Sequence, residues 1–137
     1  MAKDKDFQWE SEFKIGVNEI DKQHKSLLKL LEGLPRLLLT NEEERNETFK
    51  AILMKVLECL QFHFLAEERL MQEVSYPGLM EHKTEHVNVF KKLYVIAHNT
   101  DADSATMRST IDFLSEWYRA HFLGMDKEMG EYYNRKA

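Results

Sequence analysis

Residues 60–71 read Leu60-Gln61-Phe62-His63-Phe64-Leu65-Ala66-Glu67-Glu68-Arg69-Leu70-Met71. Leu60, His63, Glu67, Leu70 and Met71 fall at three- and four-residue spacings, which place them on one face of an α-helix. Upstream, Phe49, Ile52, Leu53 and Val56 extend the same face. A histidine and a carboxylate thus stand where a buried stripe calls for aliphatic side chains.

Three more stretches repeat the pattern. His24 lies inside the stripe Ile20, Leu27, Leu28, Leu31; His82 and His86 lie inside Leu79, Phe90, Leu93; His121 ends Met107, Ile111, Leu114, Trp117, with Asp126 just beyond. Five imidazoles and two carboxylates are therefore committed to the apolar faces of an all-helical chain. Burying an ionised carboxylate without a partner costs several kcal/mol and an unpaired imidazole ~1–3, so seven such groups would exceed the ~5–15 kcal/mol that holds a typical domain folded. A bound cation compensates them most simply, because imidazole nitrogen and carboxylate oxygen are common metal ligands. A lone histidine in an apolar stripe is more often a hydrogen-bonded core residue, and it is the full set of seven that points to metal.

Side chains at i and i+4 project from one helix face, so His63 with Glu67 and His82 with His86 can each converge on one point. His121 and Asp126 are five apart, roughly 140° round a regular helix, and can both face the core only if the helix is distorted between them. Gly124 lies in that interval and marks the expected place of a kink or a change of winding. Ligand type by itself does not exclude zinc or manganese. The Glu-x-x-His motifs of the ferritin-like di-iron carboxylate bundles do not occur in these stripes.

The ordered set His24, His63-x-x-x-Glu67, His82-x-x-x-His86 and His121-x-x-x-x-Asp126 is joined by Ile20-Asp21-Lys22-Gln23-His24 and by Trp117 four residues before His121. Together these closely resemble the hemerythrins, in particular their single-domain bacterial form, from Trp9 and Gly16-Val17 to Asp126. The resemblance implies an up-down-up-down four-helix bundle. It also implies two iron ions, one held by His82, His86 and His121 and the other by His24 and His63, with Glu67, Asp126 and an oxo or hydroxo group bridging them. The second iron then has one ligand fewer, and that vacancy is where dioxygen would bind end-on, reversibly, as hydroperoxide. Oxygen storage, delivery or sensing is the implied role, without enzymatic turnover. A di-iron enzyme that reduces peroxide or nitric oxide, and an iron-handling module, are the alternatives. Trp117 and Tyr118 are candidate lining of the oxygen pocket. Hemerythrins commonly carry Trp-Leu before the helix-four histidine and Ile after it; here the stretch is Trp117-Tyr118-Arg119-Ala120-His121-Phe122, so a phenol replaces an aliphatic lining residue.

Length and charge agree. The 137 residues suit a single domain, with residues 1–17 as an N-terminal arm and 19–134 as the helical bundle. A net charge of −5 without a basic cluster argues against nucleic acid, and one cysteine excludes an intrachain disulfide. No apolar run approaches the ~18–20 residues of a membrane span, and Met1 to Asp6 lacks the apolar segment of a signal peptide. These readings predict a cytoplasmic protein with no membrane insertion, whose protein partner for redox or delivery is unnamed.

Punctuation predicts the elements. A first helix is expected over about 19–38 with Asn18 as cap, and a second from a Thr40-x-x-Glu43 capping box to about residue 73. Ser75-Tyr76-Pro77-Gly78 interrupts it and opens a third helix to about 98. Asn99 to Ser104 is a polar loop, followed by a fourth helix to Gly124 and a short fifth from Asp126 to about Tyr133. Phe7, Trp9, Phe13 and Ile15 alternate well enough for the arm to pack over the bundle. His98 is expected at an exposed helix end, Cys59 as a small buried hydrophobe, and Asp21, Glu68 and Glu85 as solvent-facing.

Overall fold

Short links between amphipathic helices leave an antiparallel arrangement as the natural one, and the computed structural model has it. It describes residues 7–40, 42–99 and 103–136, the side chains of residues 42 and 43 excepted. In chain order the helices are α1 (Asn18–Leu31), α2 (Gly33–Leu37), α3 (Glu42–Glu73), α4 (Leu79–Ala97), α5 (Ser104–His121) and α6 (Lys127–Lys136), with a π-helical turn at Phe122–Asp126 joining the last two. Among the described residues there is no strand. Contacts such as His24 with His63, His63 with Gln23, His86 with Glu68 and His121 with Glu85 make successive long helices neighbours. The later parts of α1 and α4 share a core with the early parts of α3 and α5, which makes them antiparallel and gives the up-down-up-down bundle. No helix among the described residues is long and apolar enough to cross a membrane.

The predicted stripes are the core. Phe49, Leu53, Val56 and Leu60 of α3 are buried with Leu27, Leu28 and Leu31 of α1 and with Met107, Ile111 and Leu114 of α5. A second apolar cluster, Ile15, Val17, Ile20, Ala66, Leu70, Met71 and Met129, closes the other end. His24 falls between Ile20 and Leu27, and His63 with Glu67 between Leu60 and Leu70. The polar layer is thus sealed between two apolar ones.

Several element ends differ from expectation. The first helix stops at Leu31 rather than about residue 38, because Pro35 has no N–H and its ring clashes with the carbonyl four residues back, that of Leu31. Asn18 is its first residue, not its cap. Val17 takes the cap position without a side-chain bond, and the Asp21 carboxylate reaches back to the Ile15 and Gly16 amides at 2.9 and 3.2 Å. Thr40 Oγ1 donates to the Leu37 carbonyl at 2.8 Å, closing α2, while the Glu43 half of the expected capping box lies outside the described side chains. Between α3 and α4, Ser75 takes φ 52° and the Tyr76 amide donates to the Met71 carbonyl at 2.9 Å, a left-handed helix end. Asp103 caps α5 by accepting from the Thr106 amide at 2.8 Å.

The arm packs as its alternation predicts. Phe7, Phe13 and Ile15 are buried and Trp9 is half-buried. Lys127 Nζ donates to the Glu12 carbonyl at 2.9 Å, and Arg119 reaches Glu10 at 3.0 Å, which ties the arm to α5 and α6. Gly130 lets α6 touch the arm directly: a Cβ there would stand 2.5 Å from the Ile15 carbonyl oxygen. Gly130→Ala should therefore cost about 1–3 kcal/mol by forcing the backbones apart. Chemical denaturation of the two proteins checks this, and equal midpoints would mean that the arm yields without loss.

Candidate metal centre

The seven singled-out residues meet in one buried layer, none of them more than 2% exposed. His24 comes from α1, His63 and Glu67 from α3, His82 and His86 from α4, His121 from the end of α5 and Asp126 from the end of the π turn. That turn resolves the five-residue spacing. Its i→i+5 hydrogen-bond pattern brings residues five apart onto one face, so His121 Nε2 lies 2.9 Å from Asp126 Oδ1 with no break in the helix. Gly124 sits inside the turn, but a Cβ on it would meet nothing within 4 Å. The altered winding was rightly placed; its glycine is not what space requires there, and the expected separation into a fourth and a fifth helix is a continuous winding.

The two carboxylates divide the imidazoles between them. Glu67 Oε2 is 3.2 Å from His63 Nε2 and 3.5 Å from His24 Nε2, whereas Oε1 is 3.0 Å from His86 Nε2 and 3.5 Å from His82 Nε2. Asp126 repeats the division, with Oδ2 3.0 Å from His24 Nε2, and Oδ1 2.8 and 2.9 Å from the Nε2 atoms of His82 and His121. Each carboxylate thus offers one oxygen to a two-histidine half and the other to a three-histidine half. In each half the potential ligand atoms lie within 4.8 Å of one another.

One of these contacts, His82 Nε2 with Asp126 Oδ1 at 2.8 Å, is a hydrogen bond; the others are not. The Nε2 atoms of His24, His63, His86 and His121, both Glu67 oxygens and Asp126 Oδ2 are buried yet lack a hydrogen-bond partner. Their lone pairs and protons converge on common spaces rather than on one another. Two cations, each among nitrogen and oxygen donors, fit that donor set.

The same atoms hold protons when no cation does. Burial works against charge on His24, His82 and His121, but Asp126 and Glu67 outweigh it and raise their pKa values to about 8, about 9 and about 10. On His63 burial outweighs Glu67 and lowers the pKa. Burial would raise Glu67, yet the imidazoles hold it well below the usual carboxylate range, and Asp126 is held low in the same way.

The outer ring nitrogens reveal residues that the sequence reading placed in solvent. His86 Nδ1 donates to Glu68 Oε2 at 3.0 Å, and Glu85 Oε1 lies 3.2 Å from His121 Nδ1. Gln23, not singled out, accepts from His63 Nδ1 at 2.7 Å. Asp21 is buried as well, as the partner of the Ile15 and Gly16 amides. Gln23, Glu68 and Glu85 each stand next to a ligand candidate on their own helix and serve the histidine of the next one. Adjacency to a buried histidine was the available signal; a residue about 100° off the buried face looks solvent-facing until the neighbouring helix is in place.

Aromatic rings pack against three of the imidazoles. Phe64 stacks on His86 at 3.8 Å and Phe122 on His24 at 3.7 Å, while Trp117 lies over His121 at 5.0 Å. Tyr118 is fully buried against Phe7, Phe13 and Phe122, and meets the layer through Phe122. His98 is exposed at the end of α4 as expected, and Cys59 is half-buried.

The sequence profile of the Hemerythrin HHE cation binding domain matches residues 15–133. The chain belongs to the hemerythrin family. A bacteriohemerythrin of Clostridium acetobutylicum is 29% identical over 127 residues, covering 89% of this chain and 97% of the relative. A hemerythrin-like protein of Naegleria gruberi is 28% identical over 120 residues, covering 88% and 87%, and a myohemerythrin of Riftia pachyptila is 23% identical over 120, covering 88% of each. Hemerythrin likeness thus spans both the arm's end and every helix that brings a residue to the layer.

Proposed function

We propose that the chain is a di-iron protein that binds dioxygen reversibly, for storage, delivery or sensing. His82, His86 and His121 hold one iron, His24 and His63 the other, and Glu67 and Asp126 bridge them. The observation that carries this is the division of both carboxylates, one oxygen to each histidine group. Membership of the hemerythrin family supports iron over the other metals that such donors accept.

Held by these residues, a di-iron pair would provide the reversible two-electron chemistry that dioxygen binding needs. The chain's part is to keep that exchange dry. The layer is closed by apolar clusters above and below, and Phe122, backed by the buried arm residue Phe13, covers His24 of the two-histidine half. Water exclusion protects reactive states from side reactions such as proton-assisted loss of reduced oxygen.

Mixing the reduced, iron-loaded protein with air tests the reading. A charge-transfer band that forms with oxygen and disappears when oxygen is removed is expected. Rapid bleaching with consumption of peroxide or nitric oxide would instead make the chain a di-iron enzyme, and no band would leave an iron-handling role. Tyr118 bears on the lifetime of the oxygenated form. If its phenol admits protons or water to the pocket, Tyr118→Leu slows autoxidation several-fold at unchanged iron content. An unchanged rate in overnight spectra would place Tyr118 outside the pocket.

A further inference from the structure

Three of the five imidazoles turn their outer nitrogen to a side chain of the preceding long helix: α1 Gln23 and α3 Glu68 hydrogen-bond α3 His63 and α4 His86, while α4 Glu85 Oε1 lies 3.2 Å from Nδ1 of α5 His121 as an ion-pair contact outside hydrogen-bond geometry. The circuit closes differently. Just past α5, in the π turn, the neighbour of His121 that meets α1 is Phe122, whose ring stacks on His24 at 3.7 Å and 14°, and His24 Nδ1 is buried without a hydrogen-bond partner. His82 Nδ1 is also without one. The backing is therefore sorted by half. Two carboxylates stand behind the three-histidine half and a neutral amide behind the two-histidine half; ring stacking does not sort them, since Phe64 and Trp117 lie on His86 and His121 as Phe122 lies on His24.

A carboxylate can only accept, so Glu68 fixes the proton of His86 on Nδ1 and leaves Nε2 free to bind a cation; Glu85 faces His121 in the same sense. The negative charge behind the ring also makes its inner nitrogen a stronger donor. An amide can accept the same proton through its oxygen, but it adds no charge and could equally turn its NH2 to the ring, so it fixes the proton less firmly. We infer that Glu68 and Glu85 are positioning residues that make the three-histidine half the tighter metal position, filled first, while Gln23, which adds no charge, leaves the two-histidine half the weaker, later-filled one. This rests on the two-metal reading of the layer but not on oxygen chemistry.

Zinc tests it without redox chemistry. The metal-stripped full chain is titrated with Zn2+ against a chromophoric chelator, while the ring N–H signals of its histidines are followed by NMR. The first equivalent should shift His86 and His121, and the second His63. Glu68→Gln and Glu85→Gln should each weaken the first step by about 10–100-fold and leave the second unmoved, the usual size of an outer-partner effect. Gln23→Glu should do the opposite, tightening the second step alone. Circular dichroism of the metal-free variants shows whether they keep their helices; should either Glu variant lose them, Gln23→Glu still decides, by the step on which it acts. The inference is overturned if the first zinc shifts His63 before His86, or if the variants leave the first step within about threefold or weaken both steps alike. Normal two-step zinc uptake without any oxygen band would sink the proposed function and spare this inference, and a single zinc per chain would sink both.

Discussion

Glu67→Gln should lower the iron held per chain from two ions to one or none. Each Glu67 oxygen serves a different half, Oε2 toward His24 and His63 and Oε1 toward His82 and His86. The amide keeps the shape but turns one of those oxygens into a donor, which cannot bind a cation, and it removes the negative charge between two positive ions. The loss should exceed the ~10–100-fold typical of a change behind a ligand, because a first-contact group is altered. His98→Ala is the control, since His98 is exposed, far from the layer in sequence, and hydrogen-bonds the Tyr94 carbonyl one turn back. Elemental analysis after gel filtration separates the two. Wild-type iron in Glu67→Gln would remove Glu67 from the bridge.

Removing the metal should make the protein alkali-sensitive. In the metal-free chain the layer is held by protons on His24, His82 and His121, whose pKa values stand above the ordinary 6.5 at about 8, about 9 and about 10. A pKa raised on folding contributes stability that is fully present below 6.5 and is lost as pH rises through the folded values. Glu67 and Asp126 are depressed from 4.5 and 3.8, so their contribution is present above those values and is lost as pH falls below them. His63, whose pKa burial lowers, works the other way and costs stability as pH falls below 6.5, so the metal-free protein should be most stable near about pH 6 to 6.5 and weaken steadily to about pH 10. Metal replaces those protons, so loading near neutral pH should release about three protons per chain and tighten as pH rises. Thermal melts of stripped and loaded protein across pH, with proton release followed by an indicator dye, check both signs. A stripped protein as stable at pH 10 as at pH 6 would show that protons do not stand in for the cations.

The donor set could be read from the sequence because each member breaks an apolar period. His63 and Glu67 are conspicuous only because Leu60, Leu70 and Met71 define the face they share. The His121 to Asp126 spacing went further, since five residues demand a change of winding and the π turn supplies it. What period cannot reveal is a contact made off the face. Glu68 and Glu85 look solvated on their own helices and become partners of His86 and His121 only across the gap to the next helix. The early end of α1 was missed for a local reason: Pro35 stands three residues inside an unbroken apolar pattern, and its effect falls on the carbonyl of Leu31. Arm packing was legible from the alternation of Phe7, Phe13 and Ile15, but not what Tyr118 touches, because that depends on the arm lying over α5.

Iron X-ray absorption on the loaded protein, with metal and protein concentrations measured on the same sample, tests the central claim most directly. Two irons per chain with a short metal–metal vector, about 3.5–4 Å or less, and mixed nitrogen and oxygen neighbours are expected if Glu67 and Asp126 bridge the two histidine groups. One iron per chain, or two without a metal–metal vector in that range, would contradict it.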